Sequence, residues 1–273
     1  MLNKENDFNF NKYWGSDLLR PFVEFSRQGV HYCIYCGSLA DTREHIPSRT
    51  FLKKPLPSDL PVLPACKKCN NGFSSDELYT KTYIACFKEI LDSNNSNCLQ
   101  IDSNDRKEIR DAKIAVKEVI DTKALTFDKR VGRVLLKLAI GHAVYELSEG
   151  YYSVKWTGTP YYTKYIIKST VSDAEWNGLE YAEPMNNKVL PEIGSRVFRN
   201  LLVVQMPLLS IDTEEHSNFN LIMMDWTDIQ DGEYRYISYL DGNKLIVKMI
   251  IKDYLYGEVV FQEYYSENEE AQK

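Results

Sequence analysis

The chain has 273 residues, a formal net charge of −6, 44% hydrophobic residues and 26% charged residues. These values are those of a globular protein with a sizeable core, and the acidic balance argues against a general nucleic-acid binder, which relies on Lys and Arg. Met1–Phe10 is polar, and no apolar stretch approaches the ~20 residues of a membrane helix. We therefore expect a cytoplasmic protein that does not contact a membrane.

The amino-terminal third divides into a leader and a loop-rich segment. Residues 1–30 are expected to contain a leader helix over Ser16–Arg27. Several prolines exclude a long helix over His31–Phe73, so short strands and loops are predicted there. Ser74–Glu77 has the pattern of a capping box, a hydroxyl followed three residues later by Glu, and predicts a helix that continues to about Leu91. This interpretation explains Glu77 as a helix cap.

The rest of the chain changes from helical to strand periodicity. Helices are predicted over Asp105–Thr122 and Asp128–Leu147, where apolar residues recur at helical spacing. After Gly150 the apolar residues alternate, and Asp241-Gly-Asn is a hairpin turn signal. The predicted strands are residues 151–156, 161–168, 201–205, 220–224, 234–240, 244–251 and 257–264.

Two C-x-x-C pairs separated by 29 residues predict a metal site. Both sulfurs of such a pair can reach one ion, and two pairs complete the tetrahedral four-sulfur coordination of structural Zn²⁺. We expect a metal rather than disulfides because a reducing compartment keeps thiols free. The predicted ligands are Cys33, Cys36, Cys66 and Cys69. The remaining cysteines are interpreted as a buried thiol, Cys86, and a loop residue, Cys98.

Between the two pairs lies Glu44-His45-Ile46-Pro47, and Asn70-Asn71-Gly72-Phe73 follows the second pair directly. C-x-x-C, an acid-His-Ile-Pro segment and C-x-x-C-Asn, in this order, resemble the HNH endonuclease (ββα-metal) family over about residues 31–77. The predicted fold class is therefore α+β. It comprises a zinc-stabilised HNH module (31–100), a helical middle segment (101–150) and an antiparallel β-rich domain of unknown role (151–273).

The resemblance implies a role for each residue of the motif. It makes His45 the general base that activates water, and Glu44 and Asn70 the ligands of a catalytic Mg²⁺ or Mn²⁺. Asp59 is the best match for the residue that orients the base, although the family has Asn there. The chemistry agrees, since imidazole suits a base near neutral pH and oxygen ligands suit a hard cation. Zinc would hold the segment of Glu44 and His45 against the helix of Asn70.

Basic residues beside the Glu-His segment are the predicted contacts to the substrate strand. The region from His31 to Lys88 has eight basic residues against five acidic ones, so its charge differs from that of the whole chain. The predicted substrate-binding residues are Arg43, Arg49, Lys53 and Lys54. The predicted helix 128–147 also carries Arg130, Arg133 and Lys137 on one face, which we interpret as a solvated face.

Three other histidines have ordinary explanations. His31 precedes Cys33 and is expected in a strand, His142 lies on an apolar helix and is expected in the core, and His216 is expected in a polar loop. His45 is the histidine for which a functional role is predicted.

The sequence thus predicts an endonuclease that cleaves phosphodiester bonds, in DNA in preference to RNA. The resemblance also implies a restriction or anti-phage role in a bacterial or phage host. The carboxy-terminal half could recognise the substrate, bind a partner protein or form a homo-oligomer. The main alternative is a non-catalytic zinc module that binds nucleic acid or protein; a hydrolase of another phosphoester is a third possibility.

Overall fold

The computed structural model describes residues 32–93, 96–147, 161–186, 188–189, 196–209, 216–242 and 244–262. The predicted leader helix Ser16–Arg27, His31 and the predicted strand 151–156 lie outside these residues. Within them the chain is an α+β protein with antiparallel sheets, which confirms that part of the predicted fold class.

The helices occupy the first part of the described chain, with one exception. The five α-helices in the described residues are α1 (Lys67–Gly72), α2 (Ser74–Ser93), α3 (Lys107–Thr122), α4 (Lys129–Leu147) and α5 (Asp173–Glu180). Short 3-10 turns span Arg49–Phe51, Ser96–Leu99, Lys168–Thr170 and Val197–Asn200. No helix in the described ranges is long and apolar enough to cross a membrane.

The strands form three antiparallel sheets in the described part of the chain. The first is a two-stranded hairpin, the second has the order β3-β11-β10-β9-β5 with β8 also paired to β9, and the third has the order β4-β7-β6. The strands are β1 (Thr42–His45), β2 (Val62–Ala65), β3 (Tyr161–Ile167), β4 (Glu183–Pro184), β5 (Lys188–Val189), β6 (Leu201–Leu209), β7 (His216–Met224), β8 (Thr227–Gln230), β9 (Tyr234–Asp241), β10 (Lys244–Ile251) and β11 (Leu255–Gln262).

Local signals explain where several elements begin and turn. A carboxylate oxygen of Asp128 accepts a hydrogen bond from Arg130 N at 2.8 Å and caps the start of α4. Ser172 and Glu175 form a reciprocal capping box at the start of α5. Gly242 has a φ of 59° in the β9–β10 hairpin, the left-handed conformation that glycine adopts without strain. The predicted turn after Asp241 is thus confirmed.

The three helices predicted within the described residues and six of the predicted strands are confirmed, with shifted ends. Strands β6 and β7 extend to nine residues each, beyond the predicted 201–205 and 220–224, and the loop expected at His216 is wrong because this residue begins β7. Helix α5 was not predicted, although its Ser-x-x-Glu capping pattern is present in the sequence. Strand ends shifted because pairing with a neighbour, which the alternation does not reveal, sets their length.

Helix α4 lies at the centre of the core. One contiguous hydrophobic cluster runs from Ile34 to Phe261 and includes buried residues of all three predicted segments. Helix α4 contacts β3, β9, β10 and β11 of the large sheet and also α2. Gly257 of β11 allows a close approach, because a Cβ there would lie 2.5 Å from Leu135 of α4. The three segments therefore share one core.

His142 of α4 is a core residue, as predicted. Its ring stacks on Tyr236 with 3.8 Å between centroids, and its Nε2 lies 2.9 Å from the Tyr234 hydroxyl. Burial, followed by the positive charge of Arg196, lowers the pKa of His142 to about 3. The imidazole is therefore neutral in the folded protein at ordinary pH.

This burial predicts a loss of stability in acid. Below pH ~6.5 the unfolded chain protonates His142 while the folded protein does not, so stability that is complete above that pH falls toward pH 3. At pH 5 the loss should be about 2 kcal/mol. Chemical denaturation measures the free energy of unfolding at pH 7 and at pH 5. Its decrease between these two pH values should be smaller by this amount in His142→Phe than in the wild type. Equal drops in both proteins would contradict the assignment.

Candidate functional site

The four predicted zinc ligands form one cluster. Their sulfur atoms all lie within 4.8 Å of one another, and Cys36 Sγ is 3.7 Å from Cys66 Sγ. A tetrahedral ion with Zn–S bonds of about 2.3 Å holds its sulfurs about 3.8 Å apart. The cluster could therefore bind a metal ion such as zinc, with Cys33, Cys36, Cys66 and Cys69 as the ligands.

Tight backbone turns position the four sulfurs. Gly37, with a φ of 70°, donates its N–H to Cys33 O at 2.9 Å and closes the first turn. Cys66 is the N-cap of α1, and its sulfur accepts a hydrogen bond from Cys69 N at 3.4 Å. Hydrogen bonding from Ser38 lowers the pKa of Cys36 to about 6, which favours the thiolate that binds metals. Both turns are local, so the C-x-x-C spacing sufficed to predict them.

The predicted Glu-His segment forms strand β1 and faces α1 through Asn70. In the hairpin, Glu44 pairs with Leu63 and His45 with Val62. The Asn70 amide nitrogen donates to Arg43 O at 3.0 Å and to Thr42 Oγ1 at 3.3 Å. The order is therefore strand, strand, helix, and the structure brings Asn70 to the strand that carries Glu44 and His45.

Neighbouring residues of a strand point to opposite faces, which separates Glu44 from His45. Glu44 is 5% exposed, whereas His45 is half-buried. The Glu44 carboxylate lies against α4, where Lys137 Nζ is 3.2 Å from Glu44 Oε2. Burial raises the pKa of Glu44 to about 7, although Lys137 opposes the shift. Glu44 is thus enclosed in the structure as it stands.

Lys137 also contacts a second carboxylate and corrects two predictions. Its Nζ lies 2.5 Å from Glu77 Oε1, and its side chain is 2% exposed, so the predicted solvated face is wrong at this position. The predicted cap at Glu77 is wrong too, because its other carboxylate oxygen faces Thr50 Oγ1 at 3.5 Å. Ser74 Oγ donates to Asn71 O instead. Tertiary pairing with Lys137 outweighs the local cap because the Lys137 and Glu77 side chains are both buried.

One turn beyond Lys137, α4 contacts Ile46, the residue that directly follows β1. A Cβ on Gly141 would lie 2.4 Å from Ile46 Cδ1. Residues i and i+4 share a helix face, and residues i and i+2 share a strand face. Helix α4 therefore supports β1 through Glu44 and Ile46 and leaves His45 on the other face.

The structure places the remaining predicted site residues in different surroundings. The Asp59 carboxylate is 70% exposed and pairs with Arg196 at 3.1 Å, and its orienting role toward His45 stays a prediction. Lys53 pairs with the buried Glu233 carboxylate, while Arg49 and Lys54 are exposed and Arg43 is half-buried. Of the four predicted substrate contacts, Lys53 is already bound to another part of the protein.

Two supports of the site, Lys137 and Gly141, were not predicted from the sequence. The sequence does contain a signal that this helix is buried. The residues from Leu138 to Val144 are apolar apart from Gly141 and His142, and a helix that is apolar all round is buried. A lysine at the edge of such a run can be buried if carboxylates meet it. The sequence does not show which carboxylates these are.

Comparisons of the chain with models of protein families, with curated proteins and with solved structures found no match.

Removing one sulfur ligand should remove the metal and destabilise the module. Structural zinc contributes about 10–16 kcal/mol of apparent binding free energy in zinc-finger peptides, so its loss is costly. The wild type should hold one zinc ion per chain. We expect Cys66→Ser to lose this ion and to melt at a lower temperature, as measured by elemental analysis and thermal unfolding. Cys98→Ser, outside the cluster, is the control and should keep both. A wild-type protein without zinc after expression in zinc-supplied cells would contradict the assignment.

The contact between α4 and β1 can be tested at Gly141. Gly141→Ala should lower the free energy of unfolding by about 1–3 kcal/mol because Ile46 must move. Gly178→Ala is the matched control: nothing lies within 4 Å of its Cβ position, and Ala in helix α5 should gain up to about 1 kcal/mol. Denaturant unfolding measures both.

A double change gives the direct test of this contact. Ile46→Val removes the methyl group that the new Cβ would meet, so Gly141→Ala should cost less in that background. If the cost is the same with Ile and with Val at residue 46, the contact does not limit this position.

Proposed function

We propose that the chain is a metal-dependent endonuclease of the HNH type that hydrolyses phosphodiester bonds, with DNA as the favoured substrate. The observation that carries the proposal is the hydrogen bond from the Asn70 amide to Arg43 O. It joins the helix after the second C-x-x-C pair to the strand that carries Glu44 and His45. This strand-strand-helix arrangement beside a four-cysteine cluster is the one expected for a ββα-metal module.

His45 is the general base in this proposal. Its position in β1 is fixed by pairing with Val62, and Gly141 and Lys137 of α4 support the opposite face of the strand. A half-buried imidazole on the outward face can accept a proton from a water molecule beside a bound phosphodiester. Arg49 and Lys54 are exposed near this segment and could contact phosphates of the substrate strand.

Oxygen ligands for a divalent cation are present, on the condition that the Lys137 ammonium moves away from Glu44. The Asn70 amide uses its nitrogen toward β1, and its oxygen has no hydrogen-bond partner among the described residues. Glu44 Oε2 is buried and is paired with the ammonium of Lys137, whose Nζ lies 3.2 Å away. Glu44 and Asn70 would hold the ion if the ammonium moves. A bound Mg²⁺ or Mn²⁺ would polarise the phosphate and stabilise the leaving oxygen.

A non-catalytic zinc module is the second candidate, and the enclosure of Glu44 favours it. A carboxylate already paired with a buried ammonium does not need a metal to stabilise the fold. The exposed apolar side chains of β6 and β7 could then contact a partner protein. They are Leu202, Val203, Val204, Met206, Phe219 and Ile222.

Cleavage assays with matched histidine variants separate the two candidates. Zinc-loaded protein would be incubated with supercoiled plasmid, single-stranded DNA and RNA, each with Mg²⁺, Mn²⁺ or EDTA. We expect metal-dependent cleavage of DNA that falls about 10²–10⁴-fold in His45→Ala, because the general base is lost. His216→Ala, which changes a histidine of β7, is the control and should cleave at the wild-type rate.

The outcomes distinguish catalysis from binding. A His45→Ala protein that keeps its zinc and cleaves at the wild-type rate would exclude the catalytic role of His45. A zinc-loaded wild type that cleaves none of the substrates would favour the binding module.

A further inference from the structure

One glutamine side chain holds the backbone of a loop, residues 53–59, between β1 and β2. Gln230 Oε1 accepts a hydrogen bond from Lys53 N at 2.7 Å, and Gln230 Nε2 donates to Lys53 O at 3.1 Å and to Pro55 O at 3.3 Å. The side-chain amide thus pairs with both backbone groups of Lys53, as a residue of an adjacent antiparallel strand does. The end of β8 therefore sets the backbone conformation at the start of the 53–59 loop.

The other end of the 53–59 loop is held by Arg196. Its guanidinium donates a hydrogen bond to the backbone carbonyl oxygen of Asp59 and lies 3.1 Å from the Asp59 carboxylate. The same guanidinium lies 5.7 Å from the centroid of the Tyr145 ring of α4, within the range of a cation–π contact. The loop is therefore fixed at both ends by residues that follow α4 in the chain.

Gln230 and Arg196 belong to one hydrogen-bonded framework. Arg196 directly precedes the 3-10 turn that ends at Asn200, and the Asn200 amide donates to Thr227 Oγ1 at 3.3 Å. Thr227 begins β8 and Gln230 ends it. The pairing of β8 with β9 is irregular just before Gln230, and a bulge of this kind redirects a side chain.

These contacts leave one unpaired charge in the 53–59 loop. Lys53 is paired with the buried Glu233 carboxylate, and Asp59 is paired with Arg196. Lys54 is exposed and has no ion-pair partner among the described residues. The ammonium of Lys54 is therefore the charge that the loop presents to solvent.

Burial of apolar surface does not explain why the 53–59 loop is held. None of its residues is buried, whereas Leu52 before it and Leu60 after it are. Fixing an exposed segment costs conformational entropy. Exposed loops held by a rigid scaffold often carry binding residues. The contacts of Gln230 and Arg196 thus order a surface segment rather than part of the core.

The 53–59 loop lies at the end of the hairpin that carries the predicted general base. The last pair of β1 and β2 is His45 with Val62, so residues 46–61 connect the strands at this end. The opposite end of the hairpin, where Thr42 pairs with Ala65, adjoins the cysteine cluster. The loop is therefore on the His45 side of the hairpin.

We propose that Gln230 is a positioning residue for substrate binding, which holds the 53–59 loop so that Lys54 contacts one phosphate of the DNA strand beside the Glu-His segment. Phosphate contacts of this kind fix the position of a bound strand without reading its sequence. The inference rests on the proposed function, whose substrate it uses. It removes Lys53 from the substrate contacts and gives β8 a part in binding.

The first test measures how salt weakens DNA binding. Zinc-loaded full-length protein would be titrated with a short labelled DNA duplex at several salt concentrations, without added Mg²⁺ or Mn²⁺. We expect Lys54→Ala to lower the slope of log affinity against log salt by about 0.9, and affinity roughly tenfold at about 0.1 M salt, because one phosphate contact is lost. Lys244→Ala, at an exposed position where β10 begins, is the control and should keep the wild-type slope. An unchanged slope in Lys54→Ala would overturn the proposal.

The second test separates positioning from charge. Gln230→Met removes the amide and keeps the length and neutrality of the side chain, yet it should lower the slope by the same amount of about 0.9. The double variant with Lys54→Ala should show no further decrease, because both changes remove one contact. Gln205→Met, an exposed glutamine of β6, should bind as the wild type does. A wild-type slope in Gln230→Met, or a further decrease in the double variant, contradicts the positioning role.

Hydrogen exchange tests the hold on the loop without DNA. The amide of Lys53 loses its acceptor in Gln230→Met, so the peptide that contains it should exchange faster, while peptides of α4 exchange at the wild-type rate. Unchanged exchange at Lys53 would show that Gln230 does not hold the loop. Because Lys54 is exposed, Lys54→Ala keeps the proposal testable even if Gln230→Met does not fold.

The nuclease and the positioning role fail in distinguishable ways. DNA binding that depends on Lys54 and Gln230, in a protein that cleaves no nucleic acid, would support the positioning role and count against the nuclease. Metal-dependent cleavage with wild-type salt slopes in both variants would support the nuclease and exclude the positioning role. A zinc-loaded wild type that neither binds nor cleaves DNA contradicts both.

Discussion

The ion pairs of Lys137 connect three segments that are far apart in the sequence. Lys137 belongs to α4, Glu44 to β1 and Glu77 to α2, and all three side chains are nearly inaccessible to solvent. Removing one partner of a buried pair leaves the other uncompensated, at a cost of about 3–5 kcal/mol. The positions of β1 and α2 relative to α4 are therefore strongly constrained, and with them the position of the Glu-His segment.

Helix α4 transmits this constraint in two directions. One side contacts the large sheet, where Leu135 approaches Gly257 and His142 stacks on Tyr236. Another side contacts the hairpin through Lys137 and Gly141. The carboxy-terminal half is thus part of the support of the candidate site, whatever else it binds.

The local features of the site could be predicted from the sequence, and its enclosure could not. The cysteine spacing predicted a cluster of four sulfurs, and helical periodicity predicted α3 and α4, because both signals act within a few residues. The surroundings of Lys137 and Glu77 depend on contacts 60 residues apart in the chain. Local rules therefore made one a surface residue and the other a helix cap.

Strand β11 lies between β3 and β10 in the large sheet, so the last described strand is an interior one. The cysteine turns need only residues up to Cys69, whereas the platform beneath α4 is incomplete until β11 is in place. During synthesis on the ribosome, the four cysteines, β1 and α4 all emerge before the sheet on which α4 packs is complete. Contacts between distant residues form late, so α4 gains its full support from the large sheet only after β11 has been synthesised.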